Sequence, residues 1–199
     1  MTILYAQLVR ILDWEEAHIG FDKAVDGLPS DKQGALAPGV EHSIWQLVEH
    51  IRIAQEDIFD FCVNPKYVHS MKWPDDYWPK APEPPNATAW DHSLASFRRE
   101  REKFKSLARE TKDLYAPVPT GKPQQTYLRA ILLVADHNSH HLGQIILVRK
   151  AIGAWRQRRR EVVDPELETH RARTHDLSSW QCLYAVIPRL KAGRYPMAA

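Results

Sequence analysis

Four clusters of proline and glycine cut this chain, and the stretches between them carry apolar residues at intervals of three and four. The cuts fall at Gly27-Leu28-Pro29, through the six prolines of residues 65–86, through Ala116 to Pro123, and at Gly153. Spacing of three and four puts side chains on one face of a helix, and glycine and proline end helices. No stretch alternates apolar and polar residues at the period of two that a strand needs. Four amphipathic helices of about 20 to 30 residues with loops between them predict an all-α four-helix bundle.

The boundaries follow from local chemistry. The first helix is expected over residues 2–27, on Leu4, Leu8, Ile11, Leu12, Ile19 and Val25. Ser43 followed by Gln46 has the form of a capping box and starts a second helix, which ends near Asn64-Pro65. Residues 65–86 hold too many prolines for a helix, and their aromatics predict a loop packed on the body. Asn86 or Thr88 caps a third helix carrying Trp90, Leu94, Phe97, Phe104 and Leu107. A fourth runs from about Gln124 to Ile152 and stops at Gly153.

At 199 residues the chain suffices for one domain with a sizeable core. No run of apolar residues is long enough for a membrane span. The opening MTILYAQLVRILDWEEAH reads as an amphipathic helix and not as a signal peptide. Cys62 and Cys182 stand far apart, outside any Cys-x-x-Cys, which fits free thiols in a reducing cytoplasm. Residues 156–199 carry nine basic and five acidic side chains and weak periodicity, so they read as an extension of irregular structure after a bundle of residues 1–155. The RQRRR run at 156–160 invites a nucleic-acid reading. A solvated charge run after a helix end accounts for it better, because interleaved aromatics are missing and basic residues there already favour the helix dipole.

The segment LLVADHNSHHLGQIILVRK, residues 132–150, sets three histidines inside an apolar run. Residues four apart on a helix are separated by about 40° of rotation and 6 Å of rise, so His137 and His141 project side by side. They share their face with Leu133, Val134, Ile145 and Val148, which makes it the inward one; His140 falls on a flank. Such a pair alone is also what two hydrogen-bonded core histidines would produce. In SIWQLVEHIRIAQ, however, His50 shares a face with Leu47 and Ala54 and looks inward from another helix. Three imidazoles buried without a shared partner cost desolvation, and a metal ion removes that cost. Imidazole suits Zn, Ni, Fe or Mn, so residue type does not choose the ion.

HSIWQLVEHIRIAQEDIFDF followed by ADHNSHHLGQIILVRKAIGAW resembles the DinB-like superfamily, and LDWEEAH and YWP are reminiscent of one of its branches. The resemblance spans residues 4–155. It implies an up-down-down-up bundle, a homodimer, and a divalent metal on His50, His137 and His141. Members of known activity include thiol-dependent transferases and isomerases that use a low-molecular-weight thiol, and many members have no established reaction.

Three nitrogens would leave coordination positions open. A bound water could then serve hydrolysis, or a bound thiol could serve transfer to a small molecule. Hydrolysis needs a general base, and the candidates are Glu49, expected to face out, and Glu56. Neither gives a catalytic assignment. His18, on the stripe of Leu4, Leu8, Ile11 and Glu15, is a pocket or core candidate, and Gln144 could orient a ligand imidazole or fill an interface. Asp136, Asn138 and Ser139 read as solvated flank residues. Trp45, Trp73, Trp78 and Trp90 could wall a pocket mouth but read more readily as core. The alternative to an enzyme is a non-catalytic metal- or ligand-binding stress-response protein of the same fold.

Overall fold

The computed structural model describes residues 3–13 and 17–155. The extension expected over 156–199, with its RQRRR run and Cys182, lies outside the described residues, as do Glu15 and the rest of residues 14–16. Among the described residues there are five α-helices and no strand: α1 (Ile3–Ile11), α2 (Phe21–Val25), α3 (Ile44–Val63), α4 (Ala89–Glu110) and α5 (Tyr127–Ala151). No helix among them is long and apolar enough to cross a membrane.

The first helix is shorter than its apolar spacing predicts. Instead of one element over 2–27, α1 stops at Ile11, and α2 begins only after Gly20, which is extended at φ −73°, ψ 169°. Glycine costs about 1 kcal/mol in a helix interior, and here the break is used. It turns Phe21 into the core, stacked on Phe97 at 3.9 Å between ring centroids.

The other boundaries are closed by local hydrogen bonds. Ser43 Oγ accepts from Gln46 N and Gln46 Oε1 accepts from Ser43 N, closing the capping box of α3. Thr88 stands at the N-cap of α4 without a side-chain cap bond; Asn86 Oδ1 instead accepts from both Thr88 N and Thr88 Oγ1. Gly153 adopts φ 69°, which lets Ala154 N reach Arg149 O and Gly153 N reach Lys150 O, a Schellman closure of α5.

Interhelical bonds give the directions. Tyr5 donates to Lys112 O and Asp13 pairs with Lys105, so α1 runs antiparallel to α4. Gln55 Nε2 donates to Phe97 O, and Phe59 packs edge-on to Phe104, so α3 and α4 are parallel. Bonds from Ser139 to His18 and from Arg149 to Ala24 O set α5 alongside the first segment in the same direction. The result is an up-down-down-up bundle. Its parallel pair requires a long crossover, which residues 64–88 provide. Leu12, Phe21, Ile44, Leu47, Ile51, Phe97, Phe104, Ile131 and Ile145 fill the centre. Leu133 was expected among them and is instead exposed, beyond the edge of the buried stripe that Val134, Ile145 and Val148 define.

Candidate metal centre

α3 and α5 bring three histidines together. His50 and His141 are buried, His137 is half-buried, and one ring nitrogen from each lies within 4.8 Å of the other two. His50 Nε2 and His137 Nε2 are 3.0 Å apart. The four-residue spacing on α5 supplies two rings, and the packing of α3 against α5 supplies the third.

What each ring does with its other nitrogen decides its chemistry. His50 Nδ1 lies 3.0 Å from the carbonyl oxygen of Tyr77, which can only accept, so Nδ1 carries the proton. His137 is fixed by a longer chain. Gln55 Nε2 donates to Phe97 O, so Gln55 Oε1 faces Asn138 Nδ2 at 2.8 Å. Asn138 Oδ1 is thereby turned to His137 Nδ1 at 3.2 Å and accepts its proton. His141 Nδ1 donates to Gln144 Oε1 at 2.6 Å. All three neutral rings therefore present a bare Nε2, the arrangement that metal-ligating histidines have when oxygen acceptors hold their outer nitrogens.

Two bare lone pairs facing each other at 3.0 Å repel until a cation is placed against both. Burial disfavours a proton in that role. It pulls His50 down to about 4, helped by His137 and His42 and opposed by the bond to Tyr77. It pulls His141 down to about 4 as well, against the bond to Gln144, and it lowers His137. The three nitrogens thus fit a metal ion of the kind imidazole prefers.

Trp78, on the crossover, lines the site. Its ring stacks on His50 at 3.8 Å and 2°, and on His42 at 3.8 Å and 13°. An indole cannot accept both imidazoles on one face at those separations, so Trp78 lies between them. Trp45 and Trp90 are core residues, and Trp73 is exposed. His140 is exposed, with its ring edge-on to His141 at 4.9 Å.

Other residues fall elsewhere. His18 is exposed and is not brought to the three histidines. Its Nδ1 meets Ile19 O and its Nε2 meets Ser139 Oγ, and it lines a separate cleft of about 630 Å³ with Ile11, Leu132 and Ala135. Glu49 does not face out. It is buried, bonded to Ser93 Oγ and gripped by Arg52 Nε and Nη2 at 2.8 and 2.9 Å, because α4 packs over that side of α3. Arg52 also holds Glu56, at 2.7 Å. Asn138 is not a flank residue but is buried between Gln55 and His137.

Sequence reasoning missed His42, Gln55, Tyr77 and the role of Asn138. Asn138 and Gln55 had a signal: each is four residues beyond a core position, Val134 and Ile51 respectively, so each is a polar residue on an apolar stripe. His42 sits in a loop and Tyr77 ends a single 3-10 turn on the crossover, both too short for periodicity to carry information.

The DinB superfamily matches residues 13–145, which take in all three histidines. No curated protein matches the chain. With a match over that length and an up-down-down-up helical bundle, the chain belongs to the DinB superfamily.

Proposed function

We propose that the chain binds one divalent metal ion on His50, His137 and His141 and transfers a low-molecular-weight thiol to a small electrophile. The observation that carries this reading is that each of the three histidines commits Nδ1–H to an oxygen acceptor, leaving Nε2 bare, while one ring nitrogen from each lies within 4.8 Å of the other two. Bound there, the ion would supply Lewis acidity, lowering the pKa of a thiol or water that approaches it. Tyr77, Asn138 and Gln144 hold the rings in the tautomer that leaves Nε2 free, and Trp78 covers one face of His50.

Thiol transfer stands ahead of hydrolysis because hydrolysis asks for a general base beside the attacking water. The two carboxylates that sequence nominated are engaged elsewhere, Glu49 by Arg52 and Ser93, and Glu56 by Arg52. The thiol itself and assembly as a homodimer are readings from the family resemblance, and a cytoplasmic location is a reading from the two separate cysteines.

Elemental analysis of untagged protein, beside the His50→Ala/His137→Ala/His141→Ala variant, tests the metal. Near-stoichiometric metal in wild type and none in the variant is expected; a wild type that stays empty after incubation with Zn, Ni, Fe and Mn ends the reading. Metal-loaded protein is then assayed against electrophiles with several low-molecular-weight thiols. Turnover that disappears in His50→Ala is expected. Stoichiometric metal without turnover for any thiol would turn the reading to the non-catalytic binding protein of the same fold.

A further inference from the structure

His50 belongs to a row of donors along α3 that holds down the crossover. Ser43 Oγ donates to Pro82 O at 2.5 Å, Gln46 Nε2 to Pro79 O at 2.9 Å, and His50 Nδ1 to Tyr77 O at 3.0 Å. Asp57 ends the row by accepting the Tyr77 phenol at 2.5 Å and the Tyr67 phenol at 2.8 Å. Positions 43, 46, 50 and 57 fall on one helical stripe about 60° wide. The segment they hold is suited to being held by carbonyls alone. Pro79 and Pro82 have no N–H to satisfy, and their rings fix φ, so little backbone freedom is lost when the segment lies down.

We propose that this strap, residues 77–82, is a positioning device for the metal centre, and that Gln46, Asp57 and the Tyr77 phenol are its positioning residues. The inference rests on the metal reading above. His50 can offer Nε2 to a metal only while Nδ1 keeps the proton. The Tyr77 carbonyl accepts that proton and so selects the tautomer. Nothing in His50 itself sets where that carbonyl stands. The Tyr77 phenol anchored on Asp57 sets it from one side, and Gln46 anchored on Pro79 sets it from the other. Trp78, between those anchors, is laid on the His50 ring by the same contacts. Linkage makes the relation reciprocal: a metal that holds His50 in this tautomer also holds the strap down.

Two variants separate positioning from ligation. Tyr77→Phe removes the phenol and keeps the carbonyl. Gln46→Glu keeps the acceptor that Ser43 N uses and removes the donor to Pro79. Zinc affinity is measured by competition with a chromophoric chelator. Trypsin cleavage after the exposed Lys80, inside the strap, is followed by mass spectrometry with and without zinc. Each variant is expected to bind zinc about tenfold more weakly. Zinc is expected to slow cleavage after Lys80 in wild type, less in the two variants, and not at all in His50→Gln, a dependence that a merely structural role would not produce. Wild type that binds zinc while both variants match it within about twofold would overturn the inference and leave the metal reading standing, as would cleavage after Lys80 that ignores zinc. Wild type that binds no zinc and no other ion would remove both.

Discussion

Consider metal-free protein taken from about pH 7.5 to about pH 4.5 in the presence of a chelator. Folding holds His50 and His141 neutral, with both pulled from 6.5 to about 4 by burial. Above 6.5 neither ring binds a proton in either state, so neither affects stability. Between 6.5 and 4 the unfolded chain binds protons that the folded chain refuses, so stability falls as pH falls. A ring shifted by about 2.5 units loses about 3 kcal/mol over that window, at about 1.4 kcal/mol per pH unit. Two rings together lose about 6 kcal/mol, which is comparable with the whole stability of an ordinary domain. The metal-free protein should therefore unfold on mild acidification. The assay is urea unfolding at half-unit pH steps, wild type beside His50→Gln/His141→Gln. Carboxylates act alike in both proteins, so the difference in slope isolates the two rings, and wild type should be steeper by about 2–3 kcal/mol per pH unit. Saturating metal should raise the wild-type curve without flattening it, because the folded rings already refuse protons in this window and the unfolded chain still takes them. Parallel wild-type and variant curves would refute the claim that folding suppresses protonation of these rings.

Asn138→Ala removes the link between Gln55 and His137 and leaves Gln55 Oε1 and His137 Nδ1 without their partner; it should cost about 2–4 kcal/mol in urea unfolding and weaken zinc binding at least tenfold by chelator competition. Arg149 is buried and donates to Ala24 O and Ala154 O, so Arg149→Met should cost about 3 kcal/mol and lower the melting temperature in calorimetry by roughly 8 °C. Burial pushes the Cys62 thiol up to about 12, so in a Cys182→Ser background no thiol should react with a chromogenic disulfide until urea is added.

How much of this was legible in the sequence depends on how local each feature is. The capping box at Ser43 and the stop at Gly153 were readable because each is closed by residues within a few positions of one another. The break after Ile11 was not. The apolar spacing runs through it, and the break seats Phe21 on Phe97, a contact 76 positions away in the chain that local spacing does not register. The same division runs through the candidate site. His137 and His141 declare their shared direction through a four-residue spacing, and His50 declares an inward one. Yet a shared direction does not make a ligand: the wrong tautomer of any of the three would present N–H where a lone pair is needed. The groups that choose the tautomer are a backbone carbonyl at Tyr77, an amide chain that ends on the carbonyl of Phe97, and Gln144. Backbone carbonyls have no residue identity, so two of those three choices leave no mark on the sequence at the atom that makes them. They leave a mark one step away, in the polar residues placed on otherwise apolar stripes: Gln46 along α3, Gln55 beside Ile51, and Asn138 beside Val134. A buried polar side chain must find a partner or cost the fold stability, so each of these is a statement that a partner exists. Reading them as constraints, rather than as interruptions of the core pattern, leads from the three histidines to the crossover that holds them.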